Sequence, residues 1–134
     1  MPAMSDRSIP GGPPILTVSA PEPLVSPVEL SRLLKANPRL ALLDVRSAKE
    51  FADGHIPQAK NEPIEDLRPE ALFQAGRLSR KEPIYLVCQS DKRARIAAAR
   101  FAAVGHRDAV VVEGGTAAWI EAALPVVRDA VQMG

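Results

Sequence analysis

At 134 residues and 46% hydrophobic content, the chain has room for one domain with a proper core and not for two independent ones. Its 17 Lys and Arg balance 16 Asp and Glu, which argues against nucleic acid or an anionic membrane as a partner. One cysteine and two histidines exclude an intrachain disulfide framework and form no recognisable metal cluster, so no cofactor is expected and a reducing cytoplasm is the natural compartment.

Seven of the 13 prolines fall within residues 1–27, and the opening MPAMSDRSIPGGPP has nothing to pack. Residues 1–23 therefore read as a disordered arm, 24–127 as the folded domain and 128–134 as a tail. The arm lacks the basic-then-apolar order of a secretory leader, and no apolar run approaches the roughly 18 residues of a membrane span. Within it, ILTV (Ile15 to Val18) predicts a short strand.

From Ser26 the signals become regular. Ser26 offers an N-cap, Pro27 a first helical residue and Glu29 the returning carboxylate of a capping box, with Val28, Leu30, Leu33 and Leu34 as the apolar side of a helix to about Ala36. LALLDV, Leu40 to Val45, is a near-continuous apolar run ending in a carboxylate, the pattern of a strand buried on both faces. A second capping box, Ser47 to Glu50, opens a short helix that Gly54 stops. Pro69 divides a weaker helical region into Ile64–Leu67 and Glu70–Gln74.

PIYLVC supplies the next buried strand. Apolar residues at 94, 97, 98, 101 and 104 place a helix over Arg93 to Val104, stopped by Gly105. AVVV, Ala109 to Val112, is a third core strand, and a last helix spans Thr116 to Ala123 before Pro125. Strands alternating with helices at this spacing predict an α/β fold, a mainly parallel central sheet with helices on both faces. In such sheets ligands sit beyond the carboxyl ends of the strands, where Cys88 falls.

Cys88 also lies within the most basic stretch of the chain. Between Gln74 and Arg107 there are eight basic residues against two acidic ones. If CQSDKR is a tight turn into the following helix, backbone N–H groups and the positive end of the helix dipole converge on the sulfur, with Lys92 and Arg93 beside it. These are the surroundings that favour the thiolate a nucleophilic cysteine needs. The bland alternative is a free cysteine packed as a small hydrophobe beside a solvated basic helix.

Three segments taken together resemble the signature regions of a single-domain rhodanese, a sulfurtransferase: LLDVRSAKEFADGHIPQAKN (42–61), IYLVCQSDKRA (84–94) and VVEGGTAAWIEAALPV (111–126). The likeness covers about Ser26 to Val126 in consistent order and spacing. It implies a Cys88 persulfide cradled by Gln89, Ser90, Asp91, Lys92 and Arg93, with Asp44 and Arg46 of a D-x-R motif shaping the pocket and Arg95 supporting it. Glu50 and His55 match a largely architectural segment of that family, and Trp119 reads as a core anchor.

The same resemblance implies a small sulfur donor such as thiosulfate, and as acceptor cyanide or a thiol, including a protein thiol. Two rivals stand beside it. A noncatalytic rhodanese-like binding module would follow if Asp91, at a position where many active relatives have glycine, spoils the anion cradle. A cysteine-dependent phosphatase or arsenate reductase is disfavoured by loop length, because Cys88 to Arg93 spells C-x4-R where those enzymes use C-x5-R, and the arginine they require falls on Ala94.

Overall fold

The computed structural model describes residues 23–128. The predicted Ile15–Val18 strand lies outside the described residues, as do the expected arm and tail apart from Pro23 and Arg128. Strands β1 (Leu24–Val25), β2 (Ala41–Asp44), β3 (Lys60–Asn61), β4 (Ile84–Val87) and β5 (Ala109–Val112) form one sheet in the order β1-β5-β4-β2-β3. Every adjacent pair is parallel. Helices α1 (Pro27–Ala36), α2 (Ala48–Asp53), α3 (Pro69–Gln74), α4 (Lys92–Ala103) and α5 (Gly115–Glu121) connect them, with a 3-10 turn at Ile64–Asp66. The fold is α/β with helices on both faces of a parallel sheet.

The central strands are apolar throughout because both their faces are covered. Their side chains alternate with period two. Ile84, Leu86 and Cys88 join Ala109 and Val111 in a core under α3 and α4, with Leu72, Ala94, Ala97 and Phe101. Tyr85 and Val87 join Val110 and Val112 in the opposite core under α1 and α5, with Leu30, Leu34 and Trp119. Cys88 thus continues the alternation of β4 one residue past its end.

The helix starts follow their local chemistry. Ser26 Oγ accepts from Glu29 N at 3.1 Å, but the Glu29 carboxylate turns to Arg32 instead of completing a capping box. The second box is complete: Ser47 Oγ accepts from Glu50 N, and Glu50 Oε1 accepts from Ser47 N at 3.0 Å. The last helix ends at Glu121, short of the predicted Ala123, which stands at φ 59° as the chain turns back. That turn delivers Pro125 O to Trp119 Nε1 at 2.7 Å.

Two strands have no sequence signature. Leu24 and Val25, between prolines, form β1 by pairing with Val111 and Val112. Lys60 and Asn61 are polar and form β3 because Leu43 and Asp44 present an edge to them. Neither has the length for a period to show.

Candidate active site

Cys88 stands at the carboxyl end of β4, the middle strand, and is 1% exposed. The next five residues turn the chain into α4, and the turn closes tightly: Ala94 N–H points at Cys88 Sγ at 3.4 Å, and Arg95 N–H donates to Asp91 O at 3.0 Å. Gln89, Ser90 and Lys92 are exposed at its rim, while Asp91, Arg93 and Arg95 are half-buried.

The carbonyls of this loop face the other way. Cys88 O accepts from Thr116 N at 2.8 Å and Gln89 O from Ala117 N at 3.1 Å, so the loop caps the start of α5. Each such bond supplies a helix-terminal N–H that has no partner within its own helix. Because a peptide's C=O and N–H point in opposite directions, turning these carbonyls to α5 leaves the N–H groups of Gln89 and Ser90 on the side away from it.

The approach is close enough to demand glycine. Gly114 and Gly115 have φ of 74° and 61°, and a Cβ on Gly115 would lie within 2.5 Å of Ser90 O and overlap Cys88 O. Reading the sequence for charged and nucleophilic residues misses Gly115, although the adjacent pair of glycines before a helix was a visible signal. Asp91 belongs to the same junction: its Oδ1 accepts from Gly114 N at 3.0 Å. Its φ is −142°, so the aspartate carries no left-handed strain.

Arg93 turns its guanidinium to Glu50 while staying within electrostatic reach of Cys88. Its Nη1 and Nη2 donate to the two carboxylate oxygens of Glu50, at 2.8 and 2.9 Å. Those bonds hold the Glu50 carboxyl down at about 2, against the opposing effect of partial burial and with help from Ser47, and the same pairing raises the Arg93 guanidinium. Glu50 is therefore a bridge from the start of α2 to the end of the loop, a stronger connection than its motif suggested.

On the other side Asp44 and Arg46 form a buried ion pair, 0% and 4% exposed. Arg46 Nη2 reaches Asp44 Oδ2 at 2.8 Å and Gly54 O at 2.7 Å, Nε lies 3.0 Å from Asp44 Oδ1, and Nη1 extends to Gln89 Oε1 at 3.5 Å. Asn61 Nδ2 donates to Asp44 O and Arg46 O, both at 3.0 Å, locking this strand end. Asn61 ends the 42–61 signature segment, where the sequence gives it no role of its own. His55 stacks on Phe51 with centroids 3.6 Å apart, its Nδ1 2.7 Å from Phe51 O, as a turn-fixing residue would.

Arg46, Gln89, Arg93 and Glu50 therefore meet around the loop, with Asp44 behind Arg46. Three of the eight basic residues counted along the sequence pair with carboxylates, Arg93 with Glu50, Arg77 with Glu62 and Arg80 with Glu70, and outside that stretch Arg46 pairs with Asp44. No group of His, Cys, Asp and Glu among the described residues could hold a metal ion, and no helix there is long and apolar enough to cross a membrane.

A parallel α/β sheet carrying a six-residue cysteine loop at the carboxyl end of its middle strand defines a narrow class of small domains. Within it, the chain belongs to the family of the rhodanese-like domain, whose model matches residues 26–122. It is 36% identical over 109 residues to human thiosulfate:glutathione sulfurtransferase, covering 74% of this chain and 94% of that protein. A Synechocystis protein of uncharacterised function is 33% identical over 104 residues, 78% of this chain but 55% of that protein, so the chain spans about half the length of that relative. The solution structure of the rhodanese-like domain of an Anabaena protein superposes with a TM-score of 0.70 at 30% identity, covering 84% of each chain.

Proposed function

We propose that the protein is a sulfurtransferase working through a Cys88 persulfide. The Cys88 thiolate attacks the outer sulfur of a donor such as thiosulfate; the S–S bond of the donor breaks, and its electron pair leaves with sulfite. An external nucleophile, cyanide or a thiol on a small molecule or protein, then takes the outer sulfur and returns Cys88 as thiolate. With no second cysteine in the sequence, the acceptor comes from outside the chain.

The observation that carries this reading is the orientation of the loop. Its carbonyls at Cys88 and Gln89 cap α5 while Ala94 N–H faces the sulfur, which leaves backbone donors to stabilise an anionic outer sulfur. Arg93, held by Glu50, fixes the end of the loop; Asp44 and Arg46 fix the adjacent strand end and the Gln89 side chain; Arg95 N–H closes the first turn of α4 on Asp91. The six-residue loop favours sulfur over the larger phosphate oxyanion. A reducing cytoplasm suits a chemistry that depends on a free thiol.

The test is thiocyanate formation from thiosulfate and cyanide, beside hydrolysis of an aryl phosphate, in the wild type and Cys88→Ser. We expect thiocyanate from the wild type alone, a mass gain of one sulfur on Cys88 after donor treatment, and no phosphatase activity. Absence of both thiocyanate and persulfide with every donor tried would overturn the assignment in favour of a noncatalytic module.

A further inference from the structure

We infer that Asp91 sets donor selectivity by charge, disfavouring dianionic sulfur donors and leaving monoanionic or neutral ones as the better substrates. This rests on the persulfide reading above. Two arginines beside the loop are already paired with carboxylates, Arg93 with Glu50 and Arg46 with Asp44, and Arg95 is half-buried in the first turn of α4. Lys92 is exposed at the start of α4, its ammonium on a flexible stem in solvent.

Asp91 is different, because it is half-buried and its carboxylate is pinned to Gly114 N–H at 3.0 Å. Three residues of chain put the Asp91 Cα at most about 11 Å from the Cys88 Cα, and the closed loop brings the two nearer. The backbone donors around the sulfur favour one negative charge there, the thiolate or the persulfide. A fixed carboxylate at the same loop opposes each further charge a donor brings.

Two near-isosteric donors differ by one charge: thiosulfate, a dianion, and methanethiosulfonate, a monoanion with a methyl group in place of one oxygen. In both, the Cys88 thiolate bonds to the terminal sulfur, the donor S–S bond breaks and the electron pair leaves with the sulfur oxyanion, sulfite from the first and methanesulfinate from the second. One unit of charge at such a distance, in a medium between protein and water, changes relative reactivity by about tenfold.

The experiment measures kcat/KM for both donors in the wild type, Asp91→Asn and Glu113→Gln. Asparagine keeps an oxygen for Gly114 N–H and removes the charge; Glu113 is an exposed carboxylate one residue before Gly114. We expect Asp91→Asn to raise the thiosulfate-to-methanethiosulfonate ratio about tenfold, and Glu113→Gln to leave it within about twofold because an exposed charge is screened. In the wild type, raising ionic strength from about 0.02 M to about 0.5 M should raise the same ratio, a readout that needs no variant to fold. Turnover of both donors with a ratio indifferent to Asp91→Asn and to salt, or an equal shift in Glu113→Gln, overturns the inference and leaves the sulfurtransferase reading intact. No Cys88 persulfide from either donor in the wild type overturns both.

Discussion

Arg93 and Glu50 face each other as two forks, Nη1 on Oε1 at 2.8 Å and Nη2 on Oε2 at 2.9 Å, and so join the end of the cysteine loop to the start of α2. The residues are 43 positions apart. Glu50 serves two ends at once, because Oε1 also accepts from Ser47 N–H in its own capping box. The bidentate geometry is the strong form of this interaction and fixes direction as well as distance.

The pair makes stability depend on acid. The Glu50 carboxyl is lowered from 4.5 to about 2 by the Arg93 hydrogen bonds, with partial burial opposing and Ser47 N–H assisting. The unfolded chain takes up this proton at its ordinary pKa and the native state resists it, so the contribution is complete above about pH 4.5 and is lost as pH falls toward 2. Both side chains are about one-third exposed, 36% and 32%, so solvent screening reduces the contribution to about 1 kcal/mol. Urea unfolding should show Glu50→Gln less stable than the wild type by about this amount near neutral pH, the difference closing toward about pH 2.

Gly115→Ala should be far more damaging than its size suggests. The new methyl would overlap carbonyl oxygens of the cysteine loop at a φ of 61°, and neither backbone can retreat without losing the bonds that cap α5. We expect a loss of about 2–4 kcal/mol by chemical denaturation, with persulfide formation falling in the fraction that stays folded. An alanine with wild-type stability would show that loop and turn do not pack this closely.

Arg46→Met removes one half of a pair that is almost wholly buried. Asp44 is then left buried without its main partner, a loss of about 3–5 kcal/mol. Asp44→Leu combined with Arg46→Met should recover part of that loss, because no unpaired charge remains, while the Gln89 contact stays broken. Comparing the denaturation midpoints of single and double variants measures the coupling directly.

Trp119→Phe tests how the last segment is held. The indole is 2% exposed and its Nε1 donates to Pro125 O, so phenylalanine leaves both a void and an unsatisfied carbonyl. The expected loss is about 2 kcal/mol in thermal or urea unfolding, with faster hydrogen exchange at Val127 N–H, which donates to His55 O at 2.9 Å.

What the sequence by itself determined is whatever short-range physics decides. Apolar runs without polar alternation specified the three central strands, because a strand covered on both faces needs no polar side. Serine caps specified two helix starts to the residue, since their hydrogen bonds span three positions. The order of strand and helix put Cys88 at a strand end, and the three motif segments pointed to the family that the comparisons then showed.

What only the tertiary structure decided are the relationships between distant segments. Two-residue strands such as Leu24–Val25 and Lys60–Asn61 exist by virtue of their partners, and no local pattern marks them. The basic excess around Cys88 reads along the chain as a positive cradle, yet in space Glu50 claims Arg93 and Glu62 claims Arg77. Asp91 reads as a poor substitute at a turn, and the fold gives it Gly114 N–H and a backbone with negative φ. Charge neutralisation and backbone pairing are set by neighbours in space, and tens of residues of chain separate those neighbours in the sequence.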